Sequence, residues 1–116
     1  MTRNEIKKLD KAWGALVRKT GKCEHCNKPA NQPHHIFTRT KRNTRWYIPN
    51  GVELCFHHHR QAHDNPVEFF YWLEGHIGRD FIDFLRAFSN KVWEKKTYAE
   101  VEEVLQWQAE HRQTDV

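Results

Sequence analysis

The feature that most constrains this chain is the placement of its cysteines and histidines. Cys23, Cys26 and Cys55, together with His34, His35, His57, His58, His59 and His63, all fall within residues 23–63. Three cysteines cannot complete a disulfide set, and in a reducing compartment clustered cysteines read as metal ligands. Nine histidines in 116 residues, most of them in two short segments, call for an explanation beyond average composition. A chain of this length can bury one modest core and often leans on a staple. The expectation is therefore a single domain over residues 1–116, with five Trp and seven Phe supplying apolar bulk.

Composition narrows the function classes. No apolar run is long enough to cross a membrane, so no membrane partner is expected. The N-terminus lacks a signal-peptide pattern, and Glu5 and Asp10 argue against a transit peptide, which leaves a cytoplasmic protein as the default. Residues 1–60 hold 13 Lys+Arg against 4 Asp+Glu, a balance of +9, whereas residues 61–116 hold 6 against 11, a balance of −5. A basic first half points to a polyanionic partner, although two solvated faces of opposite charge would read the same way.

Periodicity and turn chemistry place these residues on elements. Ile6, Leu9, Trp13, Leu16 and Val17 recur at helical spacing, so a helix is expected over about 3–19, ended by Thr20-Gly21. Cys23 to Cys26 forms a knuckle, and His34 to Thr38 reads as a short strand. Residues 39–50 are polar and basic and close on the turn signal Pro49-Asn50-Gly51. A second helix is expected from about Val52 to His63. Asn65 and Pro66 then cap and open a C-terminal helical extension over about 66–113. In that extension Phe81, Phe84, Leu85 and Phe88 share a face, and Thr97 with Glu100 fits a capping box opening a helix that carries Val101, Val104, Leu105 and Gln108.

Two metal sites follow from spacing. On one helix Cys55 and His58, three apart, would share one face, and His59 and His63, four apart, another. Adjacent helical residues differ by about 100° in direction, so one helix can serve two metals. Cys23-x-x-Cys26 completes the first set as three thiolates and one imidazole, a normal structural zinc site. His57 is an alternative fourth ligand, but the x2 spacing favours His58. The tandem His34-His35 supplies the second set. On a strand the pair points to opposite faces, so one can hold a metal while its neighbour activates a nucleophile.

The order Cys23-x-x-Cys26, His34-His35-Ile36, Asn50-Gly51-Val52-Glu53-Leu54-Cys55, His58-His59 and His63 resembles the HNH endonucleases, in particular the zinc-stapled type often encoded by bacteriophages. The resemblance covers about residues 22–64. It implies a mostly α protein with a small β-hairpin: a ββα-metal core with structural zinc, flanked by an N-terminal helix and C-terminal helices. It implies His35 as general base, Asn50 as the residue holding the loop and orienting the base, and His59 as a metal ligand. His34 stands where many relatives have Asp, and His63 matches a further ligand of some relatives. His58 stands where a fourth zinc cysteine is usual. Imidazole ligands suit Zn²⁺, Mn²⁺, Ni²⁺ or Co²⁺ better than Mg²⁺ as the one catalytic divalent metal. The implied reaction is DNA phosphodiester hydrolysis to a 5′-phosphate and a 3′-hydroxyl. Arg39, Lys41, Arg42 and Arg45 are placed to meet DNA phosphates, Arg39 at the scissile one, while Trp46 and Tyr47 read as core or as stacking groups. Phage packaging machinery (terminase) is the protein partner the resemblance brings, and the host cytoplasm the location. The competing expectation is a non-catalytic zinc-dependent nucleic-acid-binding module, which explains the cysteines and the basic half but not the second histidine set.

Overall fold

The computed structural model describes residues 1–112; the expected end of the C-terminal extension near 113 lies outside the described residues. Helix α1 (Arg3–Val17) opens with a capping box between Thr2 and Glu5 and buries Leu9, Trp13 and Val17. It stops two residues before the expected end. Thr20 is drawn away to the buried Glu53, its hydroxyl donating to Oε2 at 3.0 Å.

The strands depart from expectation. Strand β1 is Gln32–His35, ahead of the expected His34–Thr38, and pairs antiparallel with β2, Gly51–Leu54. The register sets His34 opposite Val52 and His35 opposite Gly51. The ladder ends because Asn50 takes over: its carbonyl accepts from Ile36 N at 2.8 Å and its side-chain oxygen from Phe37 N at 2.9 Å. Gly51 is required where α1 crosses the hairpin, since a Cβ there would meet Trp13 Cζ2 at 2.8 Å and collide with Val17. The stretch between the strands is not wholly irregular. It holds a short helix, α2 (Arg42–Arg45), and a 3-10 turn at Ile48–Asn50.

The helix expected from Val52 starts later. Residues 51–54 are strand because Val52, Glu53 and Leu54 are all buried within the hairpin, and α3 runs Phe56–Asp64. Cys55 is thus its N-cap, with Sγ accepting from His58 N at 3.4 Å. Helix α4 (Pro66–Ile77) has Pro at its start as expected, but Asn65 makes no side-chain cap bond. The chain turns at Gly78, whose φ of 88° favours glycine, into α5 (Arg79–Ser89). There the buried face is Ile82, Leu85 and Ser89, and Phe84 faces outward, so the expected Phe-rich face is not the core face. Helix α6 (Tyr98–Glu110) opens with the expected Thr97–Glu100 capping box.

The result is mostly helical with one small hairpin. Two apolar clusters organise it. Val52, Leu54, Ala62, Phe69, Leu73 and Ile82 join the hairpin to α3, α4 and α5. Leu9, Trp13, Val17, Trp46, Val101 and Leu105 join α1 to the end of α2 and to α6. Each Val, Leu, Ile or Phe side chain among them contributes about 1.5–3 kcal/mol on burial. Among the described residues no helix is long and apolar enough to cross a membrane.

Candidate metal centres and the histidine cleft

Cys23, Cys26, Cys55 and His58 converge, with one donor atom of each within 4.8 Å of the others. Cys26 Sγ lies 3.8 Å from Cys55 Sγ, and His58 Nδ1 lies 3.3 Å from Cys55 Sγ and 3.8 Å from Cys23 Sγ. Tetrahedral zinc with ordinary bond lengths sets sulfurs about 3.8 Å apart and sulfur–nitrogen pairs about 3.6 Å apart. The residues therefore fit a metal such as zinc. Burial opposes the Cys23 thiolate, but backbone N–H groups of Cys55, Cys26 and His25 aimed at its sulfur outweigh this and lower its pKa. The backbone N–H of Lys28 lowers that of Cys26, yet burial and the sulfurs of Cys23 and Cys55 raise it overall, a crowding of thiols that a divalent cation relieves. Residues Cys55 and His58 join one donor group and His59 and His63 another. Cys55 contributes from the cap rather than from the helix body.

The second set forms on the other side of α3. His34, His59 and His63 bring one ring nitrogen each within 4.8 Å of one another. His59 Nδ1 is paired with Gln32 Oε1, an acceptor, so Nδ1 carries the hydrogen and Nε2 the lone pair. That Nε2 lies 3.3 Å from His63 Nε2, the spacing, about 3.3 Å, of two imidazoles on a tetrahedral zinc. The His34 pKa is pushed down to about 4, first by burial and then by the neighbouring His59, His63 and His35. Burial and His63 lower that of His59 as well. Three imidazoles with a ring nitrogen each gathered this closely suit a divalent cation.

His35 takes the opposite face of β1. Its ring lies on Trp13, with centroids 3.7 Å apart and planes at 9°, and its Nε2 is 2.9 Å from the carbonyl of Arg45. A carbonyl only accepts, so Nε2 carries the hydrogen and Nδ1 of the neutral ring is a free base. Burial lowers the His35 pKa, against the raising effects of the Arg45 carbonyl and the Asp10 charge. His35 and the three clustered histidines line one open cleft of about 590 Å³, with Asp10 and Arg39 also on its wall.

Asn50 is fully buried and does not itself line this cleft, though its carbonyl accepts from the backbone N–H of Ile36, which does. Its side-chain oxygen accepts from Phe37 N, and its Nδ2 donates to the carbonyls of Phe37 and Thr44, each at 3.1 Å. It thereby ties the loop after β1 to α2, which carries the carbonyl that orients His35.

The four expected phosphate-binding cations are dispersed. Arg39 is exposed on the cleft wall and Lys41 is exposed on the loop. Arg42 faces away over the Trp46 ring, 6.0 Å from its centroid. Arg45 is not available as a phosphate contact. Its guanidinium is bound to both oxygens of Asp10 at 3.0 and 2.8 Å, and its side chain is 15 % exposed. Trp46, which also donates to Asp10 at 2.9 Å, is core.

Three supporting residues escaped the sequence reading. Gln32 orients His59, Trp13 backs His35, and Asp10 anchors Arg45 and Trp46. Only Trp13 carried a signal, as part of the buried stripe of α1. No protein-family model matches the chain, and neither does any curated protein or solved structure.

Proposed function

We propose that this chain is a metal-dependent endonuclease of the HNH type that hydrolyses DNA phosphodiester bonds. Cys23, Cys26, Cys55 and His58 hold a structural zinc, and His34, His59 and His63 hold one catalytic divalent metal. The observation that carries the reading is the sharing of one cleft by a three-imidazole cluster and a fourth imidazole, His35, whose ring is fixed and whose Nδ1 is free. A zinc module that only bound nucleic acid would have no use for that second arrangement.

The chemistry follows from the side chains. A divalent metal bound by the three imidazoles supplies Lewis-acid stabilisation of charge on the phosphate and its leaving oxygen. Neutral His35 takes a proton from water at Nδ1 as the water oxygen bonds to phosphorus and the bond to the 3′ oxygen breaks. The leaving 3′ oxygen takes a proton from solvent water in the open cleft, giving a 5′-phosphate and a 3′-hydroxyl. Burial and the Arg39 and Arg45 charges disfavour the imidazolium formed on His35, while the Arg45 carbonyl, the Asp10 charge and the indole face of Trp13 partly offset them. Arg39 is the cation on the cleft wall that can hold the scissile phosphate.

Supercoiled plasmid incubated with the purified protein, with and without added Mn²⁺, Ni²⁺, Co²⁺, Zn²⁺ or Mg²⁺, tests this reading. Nicked or linear product that requires the added metal is expected. Intact plasmid in every metal, with DNA still bound, would favour the non-catalytic module and overturn the proposal.

A further inference from the structure

A second concavity, of about 430 Å³, opens between α2, the segment after α5, and α6. It belongs to neither metal site. Its walls are aromatic: Trp46 and Trp93 stand with centroids 6.3 Å apart, and Trp107, 60 % exposed, forms the outer edge. Its rim is cationic. Lys96 Nζ lies 5.9 Å from the Trp93 centroid, and Arg42 sits over Trp46.

The charge around it is distinctive. The second half of the chain is acidic, yet three of its six basic residues, Lys91, Lys95 and Lys96, lie in the short segment between α5 and α6. That segment is pinned beside the basic loop, with Asn43 Nδ2 donating to the Lys91 carbonyl at 2.7 Å. The one basic cluster of the acidic half is thus set against the basic half, with aromatic rings between, of which Trp107 is exposed, Trp93 half-buried and Trp46 buried. Aromatic faces beside cations are the chemistry that binds an unpaired base and its flanking phosphates. Volume agrees, since ligand pockets run about 300–1,000 Å³.

We propose that this groove takes an unstacked nucleobase of a single DNA strand, with Arg42 and Lys96 meeting the adjacent phosphates. The proposal rests on the reading of the histidine cleft as a DNA hydrolase. The two sites are joined by α2: the Arg45 carbonyl orients His35, and the next residue, Trp46, lines the groove.

The test is anisotropy of a labelled oligothymidylate titrated into the zinc-loaded protein without added catalytic metal. Trp107→Ala removes an exposed ring, and Val104→Glu places a negative charge on the half-exposed lining of α6. Each should weaken binding about tenfold, the scale of one lost stacking contact. Lys95→Ala with Lys96→Ala should flatten the salt dependence. Oligothymidylate binding that is absent, or equal in wild type and both groove variants, overturns the proposal, as does preference for an acidic or proline-rich peptide over the oligonucleotide. Plasmid cleavage is measured on the same preparations. An inactive wild type whose oligonucleotide binding still depends on Trp107 upholds the groove and removes the hydrolase reading. An active wild type with unchanged binding in both variants does the reverse.

Discussion

The ring of His35 lies flat on the indole of Trp13, with centroids 3.7 Å apart and planes at 9°. Trp13 is itself held, its Nε1 donating to the Tyr47 carbonyl at 2.9 Å. One indole therefore fixes the plane of the His35 ring and closes the core between α1 and the loop that precedes β2. Trp13→Ala should cost about 3–5 kcal/mol, as large-to-small core changes do, and should uncouple His35. Trp13→Phe keeps a stacking face and loses the hydrogen bond, so it should cost less in stability and retain more activity. Denaturant unfolding and cleavage rate, measured on both variants, check the order.

The Asp10–Arg45 pair should show in the pH dependence of stability. Burial opposes the Asp10 charge, but the hydrogen bonds and charge of Arg45, with the Trp46 N–H, outweigh it and lower the carboxyl pKa. A lowered carboxyl pKa contributes stability that is fully present above the unfolded value, about 3.9, and is lost as pH falls through the folded value. Asp10→Asn should therefore be destabilised at neutral pH, by about 1.5–3 kcal/mol for lost charged hydrogen bonds. The gap from wild type should close in acid. A gap that stayed constant with pH would mean that the pair does not titrate as described.

Zinc and activity should separate. Cys23→Ser or Cys55→Ser should release tightly bound zinc and remove a large share of the stability, which for a domain totals about 5–15 kcal/mol. His59→Ala should keep zinc and fold while losing activity, because its partners are Gln32, His34 and His63 rather than the cysteines. Elemental analysis with thermal melts reads both. Equal zinc loss in all three variants would mean a single shared site.

The acid limb of the cleavage profile should lie low. Burial lowers the His35 pKa from the ordinary histidine value of about 6.5, so the neutral base form persists to lower pH. The rate should rise with pH below about 6.5 and then level. An acid limb centred well above that value, under single-turnover conditions, would contradict the burial effect.

The two donor clusters were legible in the sequence because the cysteines and most of the histidines crowd into short segments and their spacing survives changes of element. Cys55 and His58 meet whether Cys55 lies in the helix or caps it, and His34 and His35 part because a strand alternates. The element boundaries around them were not legible. Val52, Glu53 and Leu54 are buried together, so the alternation that marks a half-buried strand is missing, and Glu53 finds Thr20 from far back in the chain. Arg45 read as a free cation because nothing near it in sequence reveals that Asp10, on α1, folds beside it. Gln32 and Asp10 are ordinary residue types whose roles arise only from tertiary contact.

Single-turnover plasmid cleavage by wild type, His35→Ala and His34→Ala across a titration of the catalytic metal tests the central claim most directly. His35→Ala should fall about 10²–10⁴-fold, the scale of a lost general base, and stay there at every metal concentration. His34→Ala should also fall, through weaker metal binding, and recover in part as metal rises. Near-normal cleavage by His35→Ala, or its rescue by metal while His34→Ala stays inactive, would contradict the assignment of base and ligand within the pair.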